Sequence, residues 1–133
     1  MTRLSAAVRA LLEGANFGAV ATVMPDGAPQ VTTVWLDTDG EHVIFNCDAS
    51  RRKLRNLTRD ARVAICVTDR ADPYRQAVIR GRVVEVRAEG AEAHIDWLAK
   101  KYQGLERWPG RAPGMQRRIV TVLPERVVGP REH

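Results

Sequence analysis

Short β-branched runs joined by tight turns constrain this chain more than any other feature. Residues 18–23 (GAVATV) form a small apolar run, and Pro25-Asp26-Gly27 after it is turn chemistry. Residues 30–36 (QVTTVWL) read as a second strand, Asp39-Gly40 supplies a second turn, and residues 42–47 return as a third strand. The first two strands are expected to pair as one hairpin, the second and third as another. Residues 62–68 (RVAICVT) and 76–86 (QAVIRGRVVEV) are two more strands, with Gly81 marking a bulge or a sharp bend in the longer one. The last strand signals are residues 119–123 (IVTVL) and a short strand over 126–128. Only one strand connection is long and clearly helical, whereas a doubly wound parallel sheet needs a helix between most strands. The pattern predicts a mainly β chain, a small antiparallel barrel with helices on its outside.

Three segments carry helical spacing. Leu4, Val8, Leu11 and Leu12 line one side of an N-terminal amphipathic helix, interrupted by Arg9 and Glu13 and so unlike the core of a signal peptide. Leu54 and Leu57 give residues 50–59 a core-facing edge. Residues 88–103 form the long helix, with Ala91, Ile95, Leu98, Ala99 and Tyr102 as its apolar stripe. Residues 104–114 (GLERWPGRAPG) are a loop dense in glycine and proline.

With 133 residues and no linker or repeat, the chain is expected to be one domain, residues 1–133. An apolar share of 44% is enough for a globular core, so intrinsic disorder is excluded. No apolar run approaches the roughly 20 residues of a membrane span, and a cytoplasmic location without membrane association is expected. Cys47 and Cys66 lie in strand-like runs, with no Cys/His cluster at metal-ligand spacing, and read as two reduced thiols with no metal.

The stretch from Asn46 to Asp60, NCDASRRKLRNLTRD, carries the main functional signal. Asp48 and Ser50 are good helix-capping residues. Arg51, Arg52, Lys53 and Arg55 then crowd the first turn of the helix, where the helix dipole already favours anions over cations. Two readings follow. The cluster is a solvated basic face, or a phosphate or carboxylate docks at this end on free N–H groups and cations together. A net charge of +5, almost all from arginine, is compatible with both.

Side-chain catalysts are not evident. His42, His94 and His133 form no convincing catalytic pairing with a Ser, Cys or Asp nearby in sequence, and no GxSxG, GxGxxG or P-loop motif is present. A haem would need an exposed axial ligand, for which His94 is the candidate. If the protein is an enzyme, a cofactor supplies the difficult chemistry. Trp35 sits on a strand, Trp97 lies off the stripe of its helix, and Trp108 lies in the Gly/Pro loop. The last two are large aromatics placed where interfaces or ligand pockets form, although each also reads as plain packing. Scattered arginines without a nucleic-acid-binding motif argue against a nucleic-acid partner.

The run ATVMPDGAPQVTTVWLDTDGEHVIFNCDASRRKLRNLTRDARVAICVTD resembles the pyridoxine-phosphate-oxidase-like split-barrel superfamily. Within it the chain looks most like the branch of coenzyme F420-dependent oxidoreductases, and the likeness continues through PYRQAVIRGRVVEV and AHIDWLAKKYQGLERWPGRAPG to IVTVLPERVVG. The resemblance implies a six-stranded antiparallel split barrel that forms a homodimer, with a flavin or deazaflavin at the interface. It assigns the cofactor phosphate to Arg51 and Lys53, with Ser50 just before them. Val31, Thr32, Thr33 and Val34, with Trp35 beyond them, would edge the ring system. Asn46 and Cys47 would approach it from the next strand, and Gln76 would contact the ring.

The resemblance further implies an oxidoreductase in which reduced coenzyme F420 passes a hydride to an electron-poor small-molecule acceptor. Arg55, Arg59 and Arg62 would be partners of the acidic tail of that cofactor, or simply solvated. FMN in the same fold is the alternative cofactor, and a non-catalytic flavin or deazaflavin binder is the alternative function. Relatives often carry threonine at Cys47, and a thiol is a weaker hydrogen-bond donor. The vitamin-B6 oxidase carries an arginine at the position of Thr32, and its C-terminal substrate-binding arginine and histidine have no clear match here. Pyridoxine phosphate is therefore not the expected substrate.

Overall fold

A computed structural model describes residues 3–130 of the chain. Helix α1 (Ala6–Glu13) leads into strands β1 (Phe17–Val23), β2 (Pro29–Thr38) and β3 (Val43–Asp48). Helix α2 (Arg52–Arg59) precedes β4 (Arg62–Thr68) and β5 (Gln76–Arg87). Helix α3 (Ala91–Gln103) and a loop then lead to β6 (Arg117–Val128). All six strands pair antiparallel and close into a barrel in the order β1-β2-β3-β6-β5-β4. Both predicted hairpins are present, β1 with β2 and β2 with β3.

Alternation along each strand divides the side chains between two faces. Val20, Val34, Leu36, Val43, Phe45, Ile65, Val67, Ile79, Val120 and Val122 fill the interior. Leu4, Val8, Leu11 and Leu12 of the N-terminal segment and Leu54 and Leu57 of α2 join them, as their spacing predicts. Ser5 caps α1 by accepting a 3.2 Å hydrogen bond from the Val8 amide.

Gly81 lies at a register shift, as predicted. It pairs with Pro124 while Arg80 pairs with Arg126, so Glu125 is the extra residue on β6. That bulge explains a difference from the sequence reading. Residues 119–123 and 126–128 belong to one strand, because the bulge accommodates a proline that has no N–H to give the ladder. A second shift leaves Val84 as the extra residue on β5.

Helix α3 begins at Ala91, not at residue 88, because Gly90 precedes it in the left-handed region with φ of 78°. Two residues near its end bind it to the barrel. The Lys101 ammonium donates to the carbonyls of Leu12 (2.7 Å) and Leu36 (2.6 Å). The Tyr102 hydroxyl accepts from the Leu36 amide at 2.8 Å and donates to the Asn16 carbonyl at 2.7 Å. Burial pulls Lys101 down to about 8 and pushes Tyr102 up to about 12. The Tyr102 ring stacks on Trp35 with centroids 5.2 Å apart. The loop after α3 is tied back to it, since Arg111 pairs with Asp96 at 2.7 Å and with Glu92 at 3.0 Å.

Candidate functional site

Where β2, β3, the start of α2 and the head of β6 converge, a groove of about 390 Å³ opens on the outside of the barrel. Thr33, Val34 and Trp35 border it from β2, and Asn46, Cys47 and Asp48 from β3. Phe17, Arg51, Lys53, Ile95, Trp108 and Arg117 complete its wall. The structure thus brings together Thr33, Val34, Trp35, Asn46, Cys47, Arg51, Lys53 and Trp108 of the residues singled out from sequence.

No salt bridge joins Arg51, Lys53 or Arg117 to a carboxylate among the described residues, although Asp48 lines the same groove. Lys53 is 7% exposed, yet it makes no hydrogen bond or ion pair among the described residues. Burial first, and then the neighbouring Arg51 and Arg117, depress its pKa below the usual lysine value. Arg51 is exposed at the N-cap of α2, and its side chain does not cap the helix. Arg117 is partly buried, and its pKa too is lowered by burial. Its guanidinium lies 4.5 Å from the centroid of the Trp108 ring, and its Nε donates to Asn46 Oδ1 at 2.8 Å.

The nearby carboxylate, Asp48, is committed elsewhere. It accepts from the Ser50 hydroxyl and amide and, at 2.7 Å, from the Gln116 amide. Those bonds, led by the Ser50 hydroxyl, hold its pKa down to about 2. Ser50 is therefore neither a helix cap nor a wall of the groove. It shapes the turn before α2, which starts at Arg52 rather than at residue 50 because Asp48 takes the Ser50 side chain backward.

Four residues in a row on β2 cannot share one face. Val31 and Thr33 point outward, and Thr32 and Val34 point inward. Val31 and Thr32 do not border the groove, and the buried Thr32 hydroxyl has no partner among the described residues. Cys47 borders the groove, yet it belongs to the barrel core, where burial raises the pKa of its thiol. Gln76 lies on a different part of the surface, beside Tyr74, Arg75 and Val78.

Other expectations are refined. His94 is no exposed haem ligand. Its Nε2 meets Asp37 Oδ2 at 3.0 Å and its Nδ1 meets Asn46 Nδ2 at 3.1 Å. His133 lies outside the described residues. Arg62 pairs with Asp60, and Arg59 reaches the carbonyl of Val23, so neither is a free cation, whereas the Arg55 side chain is exposed. Trp97 is half-exposed and stacks on His94. Arg117 was missed from sequence. Its strand partner is Asp48, so a register for the last strand would have placed it at the basic cluster. No group of metal-ligating side chains occurs among the described residues, and no helix there is long and apolar enough to cross a membrane.

A family model described as pyridoxamine 5'-phosphate oxidase matches residues 4–128. The chain belongs to the pyridoxamine 5'-phosphate oxidase family. Among solved structures, a protein described as an F420 reductase is 33% identical, covering 90% of this chain and 94% of that one, with a TM-score of 0.79. A conserved hypothetical protein of Mycobacterium tuberculosis shares the fold at 21% identity, with a TM-score of 0.70 over 96% of this chain and 84% of that one. HupZ of Group A Streptococcus shares it at 20% identity, with a TM-score of 0.66 over 98% and 99% of the two chains.

Proposed function

We propose that the protein is an oxidoreductase that uses reduced coenzyme F420 to deliver a hydride to an electron-poor small molecule. The observation that carries this reading is Lys53, a largely buried side chain whose ammonium opens on the groove without an ion pair among the described residues, flanked by Arg51 and Arg117. A buried charge is stable when paired, so a ligand phosphate is the missing partner. The similarity to an F420 reductase favours the deazaflavin over FMN. In this reading Arg51, Lys53 and Arg117 hold the phosphate, and Thr33, Val34, Asn46 and Cys47 edge the ring system. When bound, the cofactor supplies the hydride, so the protein needs no side-chain nucleophile. Trp35 and Trp108 line the groove, and its fixed walls orient what binds there.

Titration with coenzyme F420 and with FMN, followed by fluorescence at several salt concentrations, tests the reading. Tight, salt-sensitive binding of F420 with weak binding of FMN is expected. The reverse preference would make this an FMN protein, and binding of neither would remove the cofactor assignment.

The same reading includes a homodimer. Thr33, Ala19, Cys66, Val78 and Val128 form one continuous cross-strand row on the outside of β2, β1, β4, β5 and β6. Val31 and Val128 on this face are each 64% exposed. Thr33 also borders the groove, so a second copy packed here would adjoin the site, and Gln76, beside Val78, would act from the partner. Val78→Glu, which places a charge within that row, is expected to halve the mass seen by light scattering at micromolar concentration. A monomeric mass for the unaltered protein with cofactor bound would exclude an interface site.

A further inference from the structure

Asn46 projects from the outer face of β3, and α3 covers it. It is 7% exposed, so its amide must find partners within the protein. The Asn46 Oδ1 accepts from Arg117 Nε at 2.8 Å, and Nδ2 donates to the Ala91 carbonyl at 2.9 Å. The opposite orientation would face two donors with each other and two acceptors with each other, so the amide has one admissible setting. Nδ2 therefore also faces His94 Nδ1, which must be bare to accept. The ring then carries its proton on Nε2, directed at Asp37 Oδ2 at 3.0 Å.

One string of hydrogen bonds thus runs from Asp37 through His94 and Asn46 to Arg117. Apolar residues would fill the same space beneath α3 at lower desolvation cost, so packing alone does not account for it. The effect of the string lies at its groove end. With Nε bound to Asn46 and the guanidinium face on Trp108, the plane of Arg117 is fixed. Its two terminal nitrogens make no hydrogen bond among the described residues. That fork matches the spacing of two phosphate or carboxylate oxygens.

We propose that Asp37 and His94 are positioning residues that set the Asn46 amide and so aim Arg117 at the anion bound beside Lys53. This inference rests on the anion-binding reading of the groove. The test measures binding of coenzyme F420, and of inorganic pyrophosphate as a bare anion, by calorimetry. His94→Leu is expected to weaken both about tenfold, the worth of one hydrogen bond to a charged group. His94→Gln, which can accept from Asn46 and donate to Asp37, is expected to restore them. In an Arg117→Gln background, His94→Leu is expected to add no further loss. If His94→Leu does not fold, Asp37→Leu at the far end of the string replaces it. Unchanged affinity in a folded His94→Leu protein, with Arg117→Gln still harmful, would overturn the positioning role alone. An equal loss in the Arg117→Gln background would overturn it too, by showing a general structural effect. Failure of the unaltered protein to bind either anion would instead overturn the reading of the groove, and the inference with it.

Discussion

Replacing Lys53 with methionine is expected to stabilise the ligand-free protein while abolishing cofactor binding. The two effects have opposite signs because one group causes both. Lys53 is largely buried beside Arg51 and Arg117, and its partly desolvated ammonium has no ion-pair partner among the described residues, which costs the fold free energy until an anion pairs with it. Methionine fills a similar volume without charge, so a gain of about 1 kcal/mol, or roughly 3 °C in melting temperature, is expected. Removing a buried partner of a bound phosphate is expected to cost at least about a hundredfold in affinity. The pH dependence follows from the depressed pKa of Lys53. Between its folded pKa and 10.5 the unfolded chain binds the proton and the native state does not, so ligand-free stability rises with pH across that window. Lys53→Met is expected to flatten that rise. Thermal melts with and without ligand across alkaline pH check all of this, and a destabilised variant that still binds would reject it.

Gly81→Ala is expected to prevent folding or to cost about 3 kcal/mol or more. A β-carbon at position 81 would overlap the carbonyl oxygen of Leu123 on the neighbouring strand. The obstacle is backbone at a bulge that holds β5 to β6, so no side chain can swing away to relieve it. Urea denaturation or soluble yield measures the loss. An alanine variant with unaltered stability would mean that the bulge relaxes freely.

The barrel was legible because strand signals and turn chemistry are local. GAVATV, QVTTVWL and the two glycine-containing turns define their hairpins without reference to the rest of the chain. The basic cluster was legible for the same reason, since Arg51 and Lys53 are near neighbours in sequence. The remainder of the site depends on distant segments. Arg117 reaches the groove only through the pairing of β6 with β3, and Trp108 only through a loop held by Asp96 and Arg111. Neither contact leaves a mark in sequence spacing. That Val31 and Thr32 do not border the groove differs in kind, because the two-residue period of a strand already forbids four neighbours from sharing a face.

Strand order has a consequence for an incomplete chain. Strand β6 sits between β3 and β5, so without it the barrel would be an open sheet in the order β3-β2-β1-β4-β5. A chain cut before β6 would therefore present two bare sheet edges, and such edges invite pairing with other chains. Arg117 opens that same strand, so the guanidinium fork cannot take its place before the sheet closes. Closure of the barrel and placement of Arg117 at the groove thus depend on the same strand, and a chain that stops before β6 would be adhesive and would lack the proposed anion-binding guanidinium.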